Sequence, residues 1–400
     1  MAMLIGIVGK PSSGKSTFFK AATMIDVPIS SRPFTTIKPN RGFGFVRVAC
    51  VDKELGVKCN PRMGMCVNGI RYVPVELLDV AGLVPGASEG KGLGNQFLND
   101  LNQADVLIHI VDVSGTTDES GNNTSGHDPS KDVHFLENEI DLWYFEIIKK
   151  NWIKLARKSE AAKEDMEETI AKQLSAFRVT RPMVAETLSK LKLKTVAPTK
   201  WSNENLKDLA RELRKKTKPI IIAANKIDLP KSKENFEKLK KEFPEYMIIP
   251  CSGDYEIALR EAAKKEMIKY APGEKSFEII DDKKMSPQQI GALESIKKNI
   301  LEKFGSTGVQ QTLDSAVFDF LHYLAIFPGG IHKMGDKEGR ILPDVFFLPP
   351  DSTALDFANK IHSDLGKGML FGYDVKTKKK IGKDHELKNR DVIEIVSAAK

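Results

Sequence analysis

The stretch Gly9-Lys10-Pro11-Ser12-Ser13-Gly14-Lys15-Ser16 constrains this chain more than any other, because it meets the pattern G-x-x-x-x-G-K-[ST] at every required position. It follows the apolar run MLIGIV and precedes STFFKAAT, so it is expected to be the turn between a buried strand and a helix. The two glycines let the backbone curl until successive N–H groups point into one concavity, and the helix start adds its positive dipole end. Such a cradle suits a phosphate. The residues assigned to it are Gly9, Lys10, Pro11, Ser12, Ser13, Gly14, Lys15, Ser16 and Thr17. The Lys15 ammonium would reach the β- and γ-phosphates, and the Ser16 hydroxyl would ligate Mg²⁺, which takes hard oxygen ligands.

Three more signals follow in order, each at the end of an apolar strand-like run. LLDVAG ends in Asp79 and Gly82. The Asp79 carboxylate would serve Mg²⁺ through water, and the Gly82 N–H would hold a γ-phosphate oxygen. Asn225-Lys226-Ile227-Asp228 follows PIIIAA. A carboxylate at Asp228 accepts from both N1–H and N2–H of guanine, a donor pair that adenine lacks. Ser252 and Gly253, after MIIP, would offer backbone N–H groups to guanine O6. Each signal has an ordinary alternative, since Asp, Asn and Gly are common in turns after strands. All four in this order indicate one nucleotide crevice at the carboxyl ends of parallel strands.

The rest of the chain reads as an α/β sheet split by helices. LIGIVG, GFGFVRVA, RYVPVELLDVAG and VLIHIVDV have strand length and lie beside turn residues. The polar loop from Gly115 to Lys131 has almost no apolar residue and is expected to be exposed and mobile. After it, Val133, Leu136, Ile140, Trp143 or Tyr144, and Ile147 recur at helical spacing. So do Met166-Ile170-Leu174-Phe177, Val184-Leu188-Leu191 and Leu206-Leu209-Leu213. Thr180, Ser202 and Ser286 are expected helix N-caps. The runs EIALREAAKKEMIKYA and PQQIGALESIKKNILEKF read as helix, and the last 80 or so residues as a small α+β unit. The expected domains are a first nucleotide-binding part over 1–130, a helical insertion over 131–218 and a second nucleotide-binding part over 219–285. A helical linker over 286–320 and a C-terminal module over 321–400 complete the chain.

The net charge of +7 is concentrated: Lys131–Lys218 carries 20 Lys/Arg against 14 Asp/Glu. This segment and the Lys-rich KTKKKIGK, Lys376–Lys383, could meet RNA phosphate; the ordinary alternatives are a solvated helix face for the first and a solvated hairpin turn for the second. No DNA sequence readout is expected. The longest apolar runs are strand-sized, so no membrane partner is expected, and four Cys fit a reducing cytoplasm. The gap between Cys59 and Cys66 is too long for a zinc knuckle, so both are expected to be loop thiols, and Cys50 and Cys251 small core residues. His109, inside LIHIVDV, is expected to be a satisfied core histidine.

GKPSSGKST, PFTTIKPNRG, DVAGLVPGASEGKGLGNQFL, ADVLIHIVDVSG and NKID together resemble the Obg-type GTPases of the translation-factor class, most closely the YchF branch in its archaeal form. LPDVFFLPP, ANKIHSDL and NRDVIEIV resemble a TGS domain, a ubiquitin-like β-grasp module. The resemblance covers nearly the whole chain. It implies a P-loop GTPase domain with a helical, coiled-coil-like insertion and a C-terminal TGS-like domain. It further implies binding of GTP and GDP with Mg²⁺, slow hydrolysis, and a switch acting at the ribosome or another RNA. Thr36 would be the switch I threonine that closes on Mg²⁺ and the γ-phosphate, and Asp79 to Gly82 switch II, with Lys15, Thr36 and Gly82 serving catalysis. Gly86, Gly90, Gly92 and Gly94 would lie in a mobile extension. Leu83 stands where many GTPases carry a water-orienting glutamine, so hydrolysis would use another device. Ser12 stands where related GTPases often carry an Asn that helps bind K⁺; it has a single, shorter-reaching oxygen, so the resemblance leaves K⁺ activation open in this chain. Many members of the branch prefer ATP, so an ATPase of the same fold is the alternative, with a nucleotide-stabilised RNA-binding scaffold as a third reading.

Overall fold

Strands rich in Ile, Val and Leu on both faces, with no polar alternation, can only be satisfied inside a sheet covered on both sides. Leu4–Val8, Val106–Asp112 and Ile220–Asn225 meet that condition: every residue in them is buried. The computed structural model describes residues 3–23, 41–80, 100–162, 165–282 and 285–398. Thr36, Gly82, Leu83 and the glycines of 86–94 lie outside the described residues. The chain divides into two compact units.

One unit comprises Leu4–Phe18 and Leu78–Gly253. Its parallel strands run in the order Leu4–Val8, Val106–Asp112, Ile220–Asn225, Ile248–Pro250. Between the second and third strands the chain leaves the sheet for five helices: Ser130–Lys149, Trp152–Ala162, Met166–Gln173, Arg181–Lys190 and Asn203–Thr217. Their apolar stripes form one core with the sheet. Leu136, Ile140, Tyr144 and Ile148 pack with Leu206, Leu209 and Leu213 against Leu4, Val8 and Leu107. The first stripe turns onto Tyr144 and Ile148 where the spacing suggested Ile147, which is only partly buried. Trp152 stacks on Trp201 at 5.2 Å between centroids. Ser202 caps its helix with a reciprocal bond to Asn205, whereas Thr180 occupies the cap position without a side-chain bond.

The other unit comprises Met1–Met3, Phe19–Leu77 and Asp254–Lys400. Arg41–Ala49 lies beside Ile70–Asp79, which also pairs antiparallel with Met65–Val67. The C-terminal sheet has the order Phe346–Leu348, Leu324–Pro328, Val392–Ser397, Met369–Asp374, Lys379–Ile381. Only Leu324–Pro328 and Val392–Ser397 run parallel, and the helix Ala354–Ile361 fills the concave face with Phe357 and Ala358. This is the β-grasp arrangement expected of a TGS domain. Lys376–Lys383 is a hairpin turn and strand as anticipated; Lys376 pairs with Glu54 and Lys380 sits over the Phe371 ring. The expected helix EIALREAAKKEMIKYA ends at Lys264, and Ile268–Lys269 instead pairs antiparallel with Glu278–Ile279. The helix after Ser286 has a capping box with Gln289.

Candidate functional site

The register of the parallel strands sets out the site. Val8 lies opposite His109, Asp112 opposite Asn225, and Ala224 opposite Pro250. Four strand ends therefore deliver the phosphate loop, Asp112, the 225–228 turn and the 250–253 loop to one edge. The end of Ile70–Asp79 joins them, since the Val80 N–H donates to the Ile7 carbonyl at 3.0 Å.

The loop has the backbone that its glycines were expected to allow. Gly9 and Gly14 have φ of +150° and +92°. A Cβ at Gly9 would stand 2.5 Å from the Ile110 carbonyl, and one at Gly14 would stand 2.2 Å from Asn225 Nδ2. Neither position admits a side chain. Ser12 holds a left-handed φ of +59° without that freedom, a strained conformation stabilised by its surroundings.

Two lysines grip the loop. The buried Lys15 ammonium donates to the Lys10 carbonyl at 2.7 Å. Burial drives its pKa down to about 8, opposed by the Asp79 carboxylate. From the other side Lys226, itself at φ +63°, donates to the Ser12 carbonyl at 3.0 Å and pairs with Asp112 at 2.8 Å. Asn225 is the bridge. Its Nδ2 donates to the Ser13 carbonyl at 3.0 Å, and its Oδ1 accepts from the Gly253 N–H at 3.2 Å. Asp228 follows, half-buried, and Ser252 is buried beside Gly253. The structure thus brings together Gly9, Lys10, Ser12, Ser13, Gly14, Lys15, Ser16, Asp79, Asn225, Lys226, Ser252 and Gly253.

Ser16 and Asp79 form an oxygen pair. The Ser16 hydroxyl donates to Asp79 Oδ2 at a long 3.5 Å. Burial pushes the Asp79 carboxyl above its usual range, while Lys15 and the Ser16 hydroxyl pull it back. A hydroxyl and a carboxylate facing each other at this separation are the hard donor set that Mg²⁺ takes, so these residues fit the ion.

Sequence reasoning missed the buttress behind the loop. Asp112, fully buried, accepts from the Ser114 N–H at 3.0 Å and from the Ser114 and Thr117 hydroxyls at 2.5 and 2.7 Å. Burial raises its carboxyl, but Lys226 and those hydroxyls outweigh burial and hold it below the usual carboxylate range. Lys10, 2% exposed, donates to the Thr117 carbonyl at 2.7 Å and pairs with Asp132 at 2.9 Å, which also meets His127 at 2.8 Å. The segment expected to be exposed is so over 119–120 and 122–126, but it is tied down at its start, where Thr117 is buried and bridges to Asn123. The Thr117 hydroxyl there satisfies a buried carboxylate. An Asp closing an all-apolar strand was the available signal, the same one that marked Asp79. His109 is buried, and burial pushes its pKa down to about 3, so it stays neutral as a core histidine.

Replacing Asp112 would remove the carboxylate partner of the Lys226 ammonium, leaving it the Ser12 carbonyl, and would unpair the Ser114 N–H and the Thr117 hydroxyl. Asp112→Ala is expected to cost about 3 kcal/mol and to lower the unfolding midpoint by about 10 °C. Thermal unfolding without nucleotide measures it, and adding Lys226→Met should recover part of the loss.

Cys50 and Cys251 are buried as anticipated, but Cys50 also lies with Asp52, Cys59 and Cys66, all four ligand atoms within 4.8 Å of one another. The spacing argument weighed only the Cys59/Cys66 pair; the loop after Arg41–Ala49 folds back and supplies the other two.

Known proteins match the chain along its length. Residues 4–139 match the family described as 50S ribosome-binding GTPase. Residues 223–329 match the Obg-like GTPase YGR210-like, G4 motif-containing domain, and 334–397 match the TGS domain. A GTP-binding protein of Methanocaldococcus jannaschii is 48% identical over the full length of both chains. The ribosome-binding ATPase YchF of Bacillus subtilis is 32% identical over 67% of this chain and 70% of its own. Among solved structures, a GTP binding protein from Pyrococcus horikoshii has a TM-score of 0.78 and 38% identity, covering 99% of this chain and all of its own. The Schizosaccharomyces pombe YchF GTPase has a TM-score of 0.57 at 20% identity, covering 99% of this chain and 98% of its own, which shows the fold alone.

Proposed function

Because this chain belongs to the YchF-type Obg-like GTPases with a C-terminal TGS domain, we propose that it is a Mg²⁺-dependent GTP-binding switch that hydrolyses GTP slowly and acts at the ribosome. The observation that carries this reading is Asn225. Its amide joins the phosphate loop at Ser13 to the Gly253 loop, so one side chain sets the distance between the phosphate cradle and the base-reading turn.

Lys15 and the loop amides stabilise charge on the β–γ bridge. Ser16, Asp79 and Thr36 would hold Mg²⁺, which would supply neutralising charge at the phosphates when bound. Gly82 holds a γ-phosphate oxygen, and Asp228 accepts from the guanine edge while Ser252 and Gly253 meet O6. Loss of the γ-phosphate releases the segments carrying Thr36 and Gly82, which converts hydrolysis into a conformational signal. Leu83 offers no polar atom to the attacking water, so a slow intrinsic rate and stimulation by a partner follow. The ribosome is the proposed partner because relatives over much of this length carry ribosome-binding names, and the insertion has an excess of 20 basic over 14 acidic residues. A cytoplasmic setting goes with that partner; no helix of the described residues is long and apolar enough to cross a membrane.

The ATPase reading is favoured by the names of some of those relatives, and the Asp228 variant discussed below separates the two. A single-turnover assay with excess protein tests hydrolysis itself. Phosphate release from GTP is expected to be slow alone and at least tenfold faster with ribosomes, consistent with stimulation of a pre-assembled site by a partner. No release in either condition would favour a scaffold in which nucleotide only stabilises the fold.

A further inference from the structure

From Lys53 to Ile70 no residue is buried, so this stretch has no apolar core of its own. Yet it is the seat for part of the C-terminal module. Asn60 donates its N–H to the Ile341 carbonyl at 2.8 Å, and Arg62 donates its N–H to Pro343 at 3.0 Å. The Arg62 guanidinium pairs with Asp336 at 3.2 Å and with Asp344 at 3.3 Å. At the base of the same loop, Arg390 donates to the Ala49 carbonyl at 2.8 Å. A loop that does so much without a core needs a staple from another source, and small coreless units obtain one from disulfides or metals.

The staple is visible in the side chains. Cys50 lies at the loop's entrance, Cys59 in its middle, and Cys66 on the returning strand Met65–Val67. The Cys50 and Cys59 sulfurs are 3.6 Å apart, and the Cys66 sulfur is 3.9 Å from Asp52 Oδ2. For metal–sulfur bonds of about 2.3 Å, two ligands of a tetrahedron are about 3.8 Å apart. A disulfide needs about 2.05 Å, and no pair is at that distance. Asp52 is already oriented: its Oδ1 accepts from the Lys53 N–H at 2.8 Å, which leaves Oδ2 toward the thiols. Cys50 and Asp52 are buried, whereas Cys59 and Cys66 are half-exposed and give an ion a way in.

We propose that Cys50, Asp52, Cys59 and Cys66 form a tetrahedral structural site for a thiophilic divalent cation of the zinc class. Three sulfur ligands select a soft cation over Mg²⁺. Four protein ligands leave no open position, so the ion closes the 50–66 loop and takes no part in catalysis. Its role is to hold that loop in the shape that receives Ile341, Pro343 and Arg390. The site is independent of the nucleotide reading and would stand if that reading failed.

Full-length reduced protein, freed of metal with a chelator and titrated with cobalt(II), tests this. Binding of about one equivalent is expected, with an intense thiolate-to-cobalt charge-transfer band and the d–d absorption of a tetrahedral ion, both removed by zinc. Cys59→Ser should weaken cobalt binding at least tenfold. Cys66→Ser should do the same, which guards against one variant failing to fold. Absence of the thiolate band, or a band left intact by both variants, would overturn the site. So would a Cys50–Cys59 disulfide, seen as the loss of two hydrogens in protein purified without reductant.

Discussion

Lys15→Met is expected to lower the affinity for GTP by a factor of about a hundred to a thousand while leaving the fold unchanged. The methionine keeps an apolar stem and removes only the ammonium. That ammonium donates to the Lys10 carbonyl at 2.7 Å, inside the loop that would receive the β- and γ-phosphates. Charge-assisted bonds of this kind contribute about 1.5–3 kcal/mol each, and removing one partner of a buried charged pair costs about 2–5 kcal/mol. Isothermal titration of the variant measures the loss, and thermal unfolding without nucleotide checks the fold. A variant that binds GTP as tightly as the parent would remove Lys15 from the site. The same amine gives a pH signature. Burial lowers its pKa to about 8 in the folded protein, well under the value of a free lysine. Above that pH the folded protein loses the proton, so GTP affinity should be flat from about pH 6.5 to 7.5 and fall beyond about 8, by up to about tenfold per unit. The stability of the nucleotide-free protein moves the other way. The unfolded chain binds the proton more tightly than the folded one, so this group's contribution rises between about 8 and 10.5.

Asp228→Asn has the second large effect, on selectivity. The asparagine has nearly the same volume but offers one acceptor and one donor where guanine presents two donors. A site built to hydrogen-bond a ligand edge loses far more than a methylene's worth of discrimination when that pairing fails, on the order of 10²-fold or more. GTP affinity should fall at least a hundredfold, while ATP affinity stays within about threefold. Competition between the two nucleotides in the presence of Mg²⁺ measures the ratio. Equal losses for both would show that Asp228 supports the turn without reading the base, and a parent protein that already prefers ATP would favour the ATPase reading.

The parts legible in the sequence were those whose chemistry fixes local spacing. A phosphate loop needs glycines five residues apart followed by Lys and Ser, and Gly9, Gly14, Lys15 and Ser16 appear in that frame. Fully apolar strands announce a covered parallel sheet, and their ends lie side by side in the register that sets Asp112 against Asn225. The buttress was hidden because its bonds join residues far apart in sequence: Lys226 to Asp112, and Lys10 to Thr117 and Asp132. Thr117 and Ser114 sit in a polar stretch where composition cannot separate a solvated hydroxyl from one satisfying a buried carboxylate. The left-handed backbone at Ser12 and Lys226 leaves no sequence mark, because neither residue type prefers it. The exchange of Ile147 for Ile148 reflects a helix whose two adjacent positions are both isoleucine, so periodicity alone could not set the phase. The Cys50–Asp52–Cys59–Cys66 cluster escaped for the opposite reason to the phosphate loop: its gaps match no short ligand pattern, and only the folded loop closes them.

Asn225 would hold the phosphate loop and the Asp228 turn at the distance that lets them enclose one guanosine triphosphate. Calorimetric titration of the full-length protein with GTP and with ATP, each with Mg²⁺, tests it most directly. One equivalent of GTP bound at least tenfold more tightly than ATP is the predicted result. No binding heat with either nucleotide would exclude such an enclosure.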